Sequence, residues 1–233
     1  MGESLGLHSF GNDLRLMDVI DVANVACGFH AGDPDAMSTT VEAAAERGIK
    51  IGAHPGLPDL VGFGRREMKL TASEVENLIL YQVGALSAFL RAHGLELNHI
   101  KPHGSLYGML ARDADLMTAA AKVAVLYDVP FYGLAGTEHE AVCRTMGVPF
   151  VGELYVDLNY GPRGELMIQR RPEPTRPVAA ADRVRIFLKE GTVEAVDGAL
   201  LRLQAESICV HSDAPNSVEV AAAVRSALTE AFA

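Results

Sequence analysis

The chain has little cysteine, and what it has is scattered. Cys27, Cys143 and Cys209 are the three cysteines in 233 residues, and no C-x-x-C occurs. An odd, widely spaced set excludes a disulfide framework and a thiolate zinc site, and predicts a reducing, cytoplasmic setting. Basic residues form no long run, and the net charge is −10. Nucleic acid and anionic membrane are therefore excluded as natural partners. No apolar stretch is long enough to span a bilayer, and no leader pattern opens the chain. The start "MGESLG" lacks the serine or threonine that a myristoylation signal places sixth. Internal repeats and low-complexity tracts are missing. So are G-x-x-x-x-G-K-[ST] and H-E-x-x-H, and "GFGRRE" (62–67) lacks the third glycine of G-x-G-x-x-G. Neither a P-loop, a local zinc-protease motif nor a dinucleotide fingerprint is present.

What is there is a regular alternation. With 49% hydrophobic and 21% charged residues, the chain suits one globular domain over 1–233 with a sizeable core. Apolar runs predict strands at 22–29, 49–54, 98–104, 130–136, 149–157 and 207–213. Helices are predicted at 33–48, 71–94, around 113–127, and at 137–147, 178–191 and 214–232. Asp33 and Pro34 read as N-cap and first turn of the first helix. Thr71 and Glu74 stand at capping-box spacing. Residues 160–177 carry four prolines and read as an irregular excursion. Residues 192–204 read as a small hairpin turning at Asp197-Gly198. Strands alternating with helices imply right-handed crossovers and a parallel sheet covered on its faces. Six evenly spaced units suit a barrel better than an open sheet, with one strand too few for closure.

In such folds ligands bind where strands end. Four different predicted strands here end in histidine: His30, His54, His103 and His211. A single histidine at a strand end is ordinarily a hydrogen-bonded structural residue. Four at equivalent positions, three of them (His30, His54 and His103) with Gly or Pro within two residues, predict a functional mouth. Lys101, Asp157 and Asp213 arrive at the same ends, and Asp33 sits beside His30. The histidines with an aspartate suit either a divalent metal that activates water or general acid–base chemistry without one. His30, His54, His103 and Asp213 are the metal candidates. Lys101 suits an oxyanion or phosphoryl group, though a lysine near a loop is commonly just solvated. Arg65 and Arg66 suit a carboxylate or phosphate clamp, though exposed arginine pairs are common. Cys27 reads as a small buried apolar residue rather than a nucleophile. His93, His99, His139 and His8 read as ordinary.

The blocks "GESLG…GND", "NVACGFHAGDP", "IGAHPGLPDLVGFGRR", "YQVGALSAF", "IKPHGSLYGM", "GLAGTEHE" and "ICVHSDAP" closely resemble the LamB/YcsF family, in order along the whole chain. That family includes the A component of bacterial ATP-dependent 5-oxoprolinase. The resemblance implies a seven-stranded β/α barrel of the TIM-like, deacetylase-related type. It implies ring opening of 5-oxo-L-proline to L-glutamate, driven by ATP with magnesium, in a complex with 5-oxoprolinase subunits B and C. Carried over by position, His30, His54, Lys101, His103, His211 and Asp213 are the catalytic candidates. Glu3, Arg65, Tyr107, Asp157 and Tyr160 are the substrate-binding ones, and Asp33 also matches. Three departures stand out. Family members usually open on a D-L-N-C-D-L-G-E strand, and this chain starts inside that motif at Met1-Gly2-Glu3, so the first barrel strand is expected to be missing. The A-D-R-x-Y element reads Val156-Asp157-Leu158-Asn159-Tyr160, without its arginine. V-H-G-D reads Val210-His211-Ser212-Asp213. The rival expectations are a stand-alone metal-dependent deacetylase or amidohydrolase and a non-catalytic binding or regulatory protein; a homo-oligomer is compatible with each.

Overall fold

A computed structural model describes residues 1–8, 11–169, 171 and 173–233. In chain order the elements are α1 (Asp13–Met17), β1 (Val22–Ala26), α2 (Pro34–Glu46), β2 (Lys50–His54), α3 (Ala72–Ala92), α4 (Gly104–Leu110), α5 (Ala114–Tyr127), β3 (Phe131–Gly133), α6 (Glu138–Met146), β4 (Phe150–Tyr155), β5 (Asn159–Tyr160), β6 (Leu166–Met167), α7 (Pro177–Glu190), β7 (Thr192–Glu194), β8 (Leu200–Arg202), β9 (Ser207–Cys209) and α8 (Ser217–Ala231). The class is α/β. No helix among the described residues is long and apolar enough to cross a membrane.

Local chemistry sets the helix starts. The Asp33 carboxylate accepts from the Ala36 N–H at 2.9 Å, with Pro34 in the first turn. Thr71 and Glu74 form the reciprocal capping box of α3. Asp113 and Thr137 cap α5 and α6 through their side chains. Gly147 and Gly191 end α6 and α7 in the left-handed region.

The central strands run parallel. β1 pairs with β2, β3 with β4, and β4 with β9. The segment expected as a strand at 98–104 joins the two groups: Ile100 bridges Ala53 on one side and Phe131 on the other, and Asn98, Lys101 and His103 donate backbone hydrogen bonds to Ile51, Ala53 and Pro55. From His103 the chain turns into α4, a helix the sequence pattern did not suggest. The excursion at 160–177 needs correction, because β5 and β6 make an antiparallel pair there. The hairpin at 192–204 is present as β7 and β8. Among the described residues no strand pairing joins β9 to β1. The outer edge of β1 is met instead by Met1, whose ammonium donates to Asn24 O at 2.8 Å and whose carbonyl accepts from Ala26 N at 2.9 Å. That contact brings Glu3 to the strand ends. Residues of both β1 and β9 line a cleft of about 570 Å³.

Two apolar clusters support this layout. One joins β1, β2 and Ile100 to α2, α3 and α5. The other joins Leu154 and Tyr155 of β4 to Ala180 and Val184 of α7 and Val220 and Val224 of α8. Two histidines belong to this framework. His99 places Nε2 2.7 Å from Asn24 Oδ1 and stacks on Tyr132 at 3.9 Å. Its ring lies so close to Gly52 that a Cβ there would sit 2.0 Å from it. His139 accepts from the Leu134 N–H and donates to Tyr107 O. Burial pushes both imidazoles down to about 3.

These two rings make the fold acid-sensitive. Between pH 6.5 and 3 the unfolded chain takes up protons that the folded rings refuse, so stability falls as pH falls. From pH 6.5 to 5 the loss is about 2 kcal/mol per histidine. Urea unfolding at pH 7 and pH 5 should show a clear drop in midpoint, with a smaller drop in His139→Gln. A midpoint independent of pH would contradict the assignment of buried neutral rings.

Candidate functional site

Three parallel elements end in histidine and bring the rings together. His30 follows β1, His54 is the last residue of β2, and His103 follows Ile100. His30 and His103 stack face to face, 3.8 Å between centroids and 4° from parallel. His54 stands edge-on to both. The loop before Arg66 closes over them. Phe63 packs edge-on against His30 and His103. A Cβ on Gly64 would lie 2.8 Å from His30 Cβ and 3.0 Å from the His103 ring, so only glycine lets the loop approach this closely. Phe63 itself has φ 54°, left-handed backbone that costs a non-glycine residue about 1–3 kcal/mol. In that conformation its carbonyl accepts from His103 Nε2 at 2.7 Å.

The other contacts inside this cluster are equally directional. The Lys101 carbonyl accepts from His54 Nδ1 at 2.6 Å. His54 Nε2 faces His103 Nδ1 at 3.1 Å. Glu3 Oε1 lies 3.5 Å from His30 Nε2. Neither ring nitrogen of His30 has a hydrogen-bond partner, although the side chain is fully buried. Burial lowers the pKa of His54 and His103 well below the ordinary value, and charge repulsion among the rings adds to it. His30 is lowered too, because burial outweighs the opposing pull of Glu3.

Around this centre lies a shell of charged and hydroxyl groups. Asp157 accepts from His211 twice, from Nδ1 at 2.9 Å and from the backbone N–H at 2.7 Å. Burial works against the Asp157 carboxylate, but His211 outweighs it and holds the pKa low. Arg65 pairs with Asp213 at 2.7 Å and lies 5.0 Å from the Phe63 ring centroid, leaving its buried Nε without a partner. Ser212 donates to Glu3 Oε2 at 3.1 Å. The cleft between β1 and β9 is lined by Glu3, His54, Lys101, His103, His211 and Asp213, so it opens onto both layers.

The sequence candidates therefore divide. Glu3, His30, His54 and His103 form one group among the described residues, their ligand-type atoms all within 4.8 Å of one another. Asp213, expected beside the histidines, is instead committed to Arg65. Arg65 and Arg66 do not act as a pair, since Arg66 turns away to grip Asp59. Tyr160 is structural, accepting from the Tyr155 N–H. Tyr107 lies with its hydroxyl 2.7 Å from that of Tyr155. Asp33 caps α2. Cys27 is buried with its thiol pushed up to about 12, as suits a core residue.

Lys101 reaches the site but is not a free cation. Its ammonium lies 2.7 Å from Glu153 and 3.0 Å from Cys209, all three buried. Burial alone would lower the Lys101 pKa; Cys209 and Glu153 raise it on balance. The Cys209 thiol is itself pushed up to about 12 by burial, so the ion pair of Lys101 is with the Glu153 carboxylate. Sequence reading missed Glu153 and Phe63. The signal for Glu153 was visible: a lone carboxylate inside the apolar strand "PFVGELYV". Phe63 matters through its backbone, which leaves no such mark. Removing one partner of a buried ion pair strands the other. Glu153→Gln should cost about 3–5 kcal/mol in urea unfolding, and Lys101→Met with Glu153→Leu together much less than the sum of the two singles. Additive losses would contradict the pairing.

The comparisons with known proteins agree with one another. A protein of Thermococcus onnurineus named as the A subunit of 5-oxoprolinase is 44% identical over 234 residues, covering 99% of this chain and 92% of its own. The lactam utilization protein lamB of Emericella nidulans is 45% identical over 224 residues, covering 94% and 88%. The crystal structure of a lactam utilization protein from Thermus thermophilus superposes with a TM-score of 0.91 at 42% identity, covering 100% of this chain and 94% of that one. The LamB/YcsF family model matches residues 1–233. With that match running the full length and the site blocks falling inside it, the chain belongs to the LamB/YcsF family.

Proposed function

We propose that this chain is the A component of a multi-subunit 5-oxoprolinase, folded as a β/α barrel of the deacetylase-like type. It would open the lactam ring of 5-oxo-L-proline to L-glutamate at the expense of ATP, together with B and C subunits. The observation that carries this reading is the end-to-end similarity to proteins named as the A subunit of 5-oxoprolinase. The site chemistry supports it. A five-membered lactam carbonyl is a poor electrophile because its nitrogen donates into it. Phosphoryl transfer from ATP to the lactam oxygen would leave a carbon that water can attack. Collapse of that adduct breaks the ring C–N bond as its nitrogen gains a proton and leaves an acyl phosphate, and a second water then releases phosphate and the free carboxylate.

In this reading the His211–Asp157 pair handles the protons. Asp157 takes the Nδ1–H, which fixes the tautomer and leaves Nε2 with a lone pair to accept a proton from water. Arg65 carries a buried Nε–H without a partner beside a small pocket lined also by His103, Tyr107 and His211. A substrate carboxylate would satisfy that donor.

The test is an assay of the chain reconstituted with its partner subunits, ATP, magnesium and 5-oxoproline, reading glutamate. Glutamate should form in step with ADP. Asp157→Asn should lower kcat by about 10²–10⁴. Arg65→Met should act mainly on KM. No glutamate from the complete complex would overturn the substrate assignment, and glutamate without ATP would overturn the ATP requirement.

A further inference from the structure

The tautomers of His54 and His103 are fixed by groups that can only accept. A carbonyl oxygen has no proton to give, so the contact with Lys101 O places the hydrogen of His54 on Nδ1, and the contact with Phe63 O places that of His103 on Nε2. In the neutral rings the remaining nitrogens, His54 Nε2 and His103 Nδ1, are both lone pairs. They face each other at 3.1 Å. Two facing lone pairs repel unless a cation lies between or beside them. His30, buried and with neither nitrogen hydrogen-bonded, stands against the same spot, and the Glu3 carboxylate is 3.5 Å from its Nε2.

We infer that Glu3, His30, His54 and His103 together bind one first-row divalent transition metal ion of the zinc class. Three imidazoles and one carboxylate make an N₃O donor set of the kind zinc accepts. For metal–ligand bonds of about 2.0–2.1 Å, tetrahedral ligands stand about 3.3–3.4 Å apart. Two of the separations here, 3.1 Å for His54–His103 and 3.5 Å for His30–Glu3, bracket that value, and all four ligand-type atoms lie within 4.8 Å of one another, so binding would draw the set together. The outer nitrogens of His54 and His103 donate to backbone carbonyls, the usual support for metal-bound imidazole. Ser212 supports Glu3 in the same way from its second oxygen. Glu3, His54 and His103 line the cleft, which gives an ion a way in. Asp213 lies outside the set because Arg65 holds it.

The inference does not rest on the lactam reading, and its test does not read turnover. The purified full-length chain is stripped with chelator, checked for fold by circular dichroism, and titrated with Co²⁺ and then Zn²⁺. One equivalent of Co²⁺ should bind with the intense visible bands of four-coordinate cobalt, and Zn²⁺ should displace it. X-ray absorption of the cobalt-loaded wild-type chain should show imidazole scattering from three ligands. Glu3→Gln and His30→Asn should weaken binding by at least about 100-fold, while Asp213→Asn should not. Folded protein that takes up no cobalt would overturn the site. So would a six-coordinate aqueous-like spectrum, or Glu3→Gln binding as tightly as wild type. The wild-type spectra keep the test decisive if a variant fails to fold.

Discussion

Two backbone carbonyls, those of Lys101 and Phe63, govern the centre of this molecule. Each accepts from the one N–H of a neutral imidazole, His54 half-buried and His103 buried, and each thereby aims a lone pair inward. Much of the surrounding structure serves to hold them there. The parallel run from β1 through β2 to Ile100 sets His30, His54 and His103 side by side. Phe63 holds left-handed backbone so that its carbonyl points at His103, and Gly64 removes the Cβ that would otherwise push the loop off the rings. His103 is buried and His54 half-buried, and desolvation lowers the pKa values of both, which disfavours a second proton on either ring.

Outside this neutral core the chemistry is charged and mutually compensated. Asp157 serves His211, Asp213 serves Arg65, and Glu153 serves Lys101. Two of these pairings leave a defined remainder: a free Nε2 on His211 and an unmatched Nε–H on Arg65. The proposed metal and the proposed lactam chemistry draw on different layers of one cleft. Lone pairs hold the ion in the inner layer, while proton transfer and anion binding belong to the outer one.

Much of this was legible in the sequence, and the exceptions have physical causes. The strand positions and most helix boundaries followed from apolar runs and caps, because those signals are local. The segment at 98–104 keeps its ladder bonds to β2 as far as His103, where the chain turns into α4, a turn that the apolar run does not record. The hairpin of β5 and β6 was hidden by prolines. The four strand-end histidines were visible because spacing along the chain reports position around a parallel sheet. Which acid joins them was not visible. Asp213 is near His211 in sequence, but Arg65, distant in the chain, takes it, and Glu3 arrives from the first turn of backbone beside β1. Such choices depend on contacts between remote segments, which no local pattern records.

The centre of the molecule depends on which nitrogens of His54 and His103 carry hydrogen. Long-range ¹H–¹⁵N correlation of the histidine side chains in the chelator-treated protein at neutral pH reads it directly. The hydrogen should be found on Nδ1 of His54 and on Nε2 of His103, with both facing nitrogens unprotonated. A proton on either facing nitrogen, shared as an ordinary imidazole–imidazole hydrogen bond, would contradict the account, because the pair would then need no cation between them.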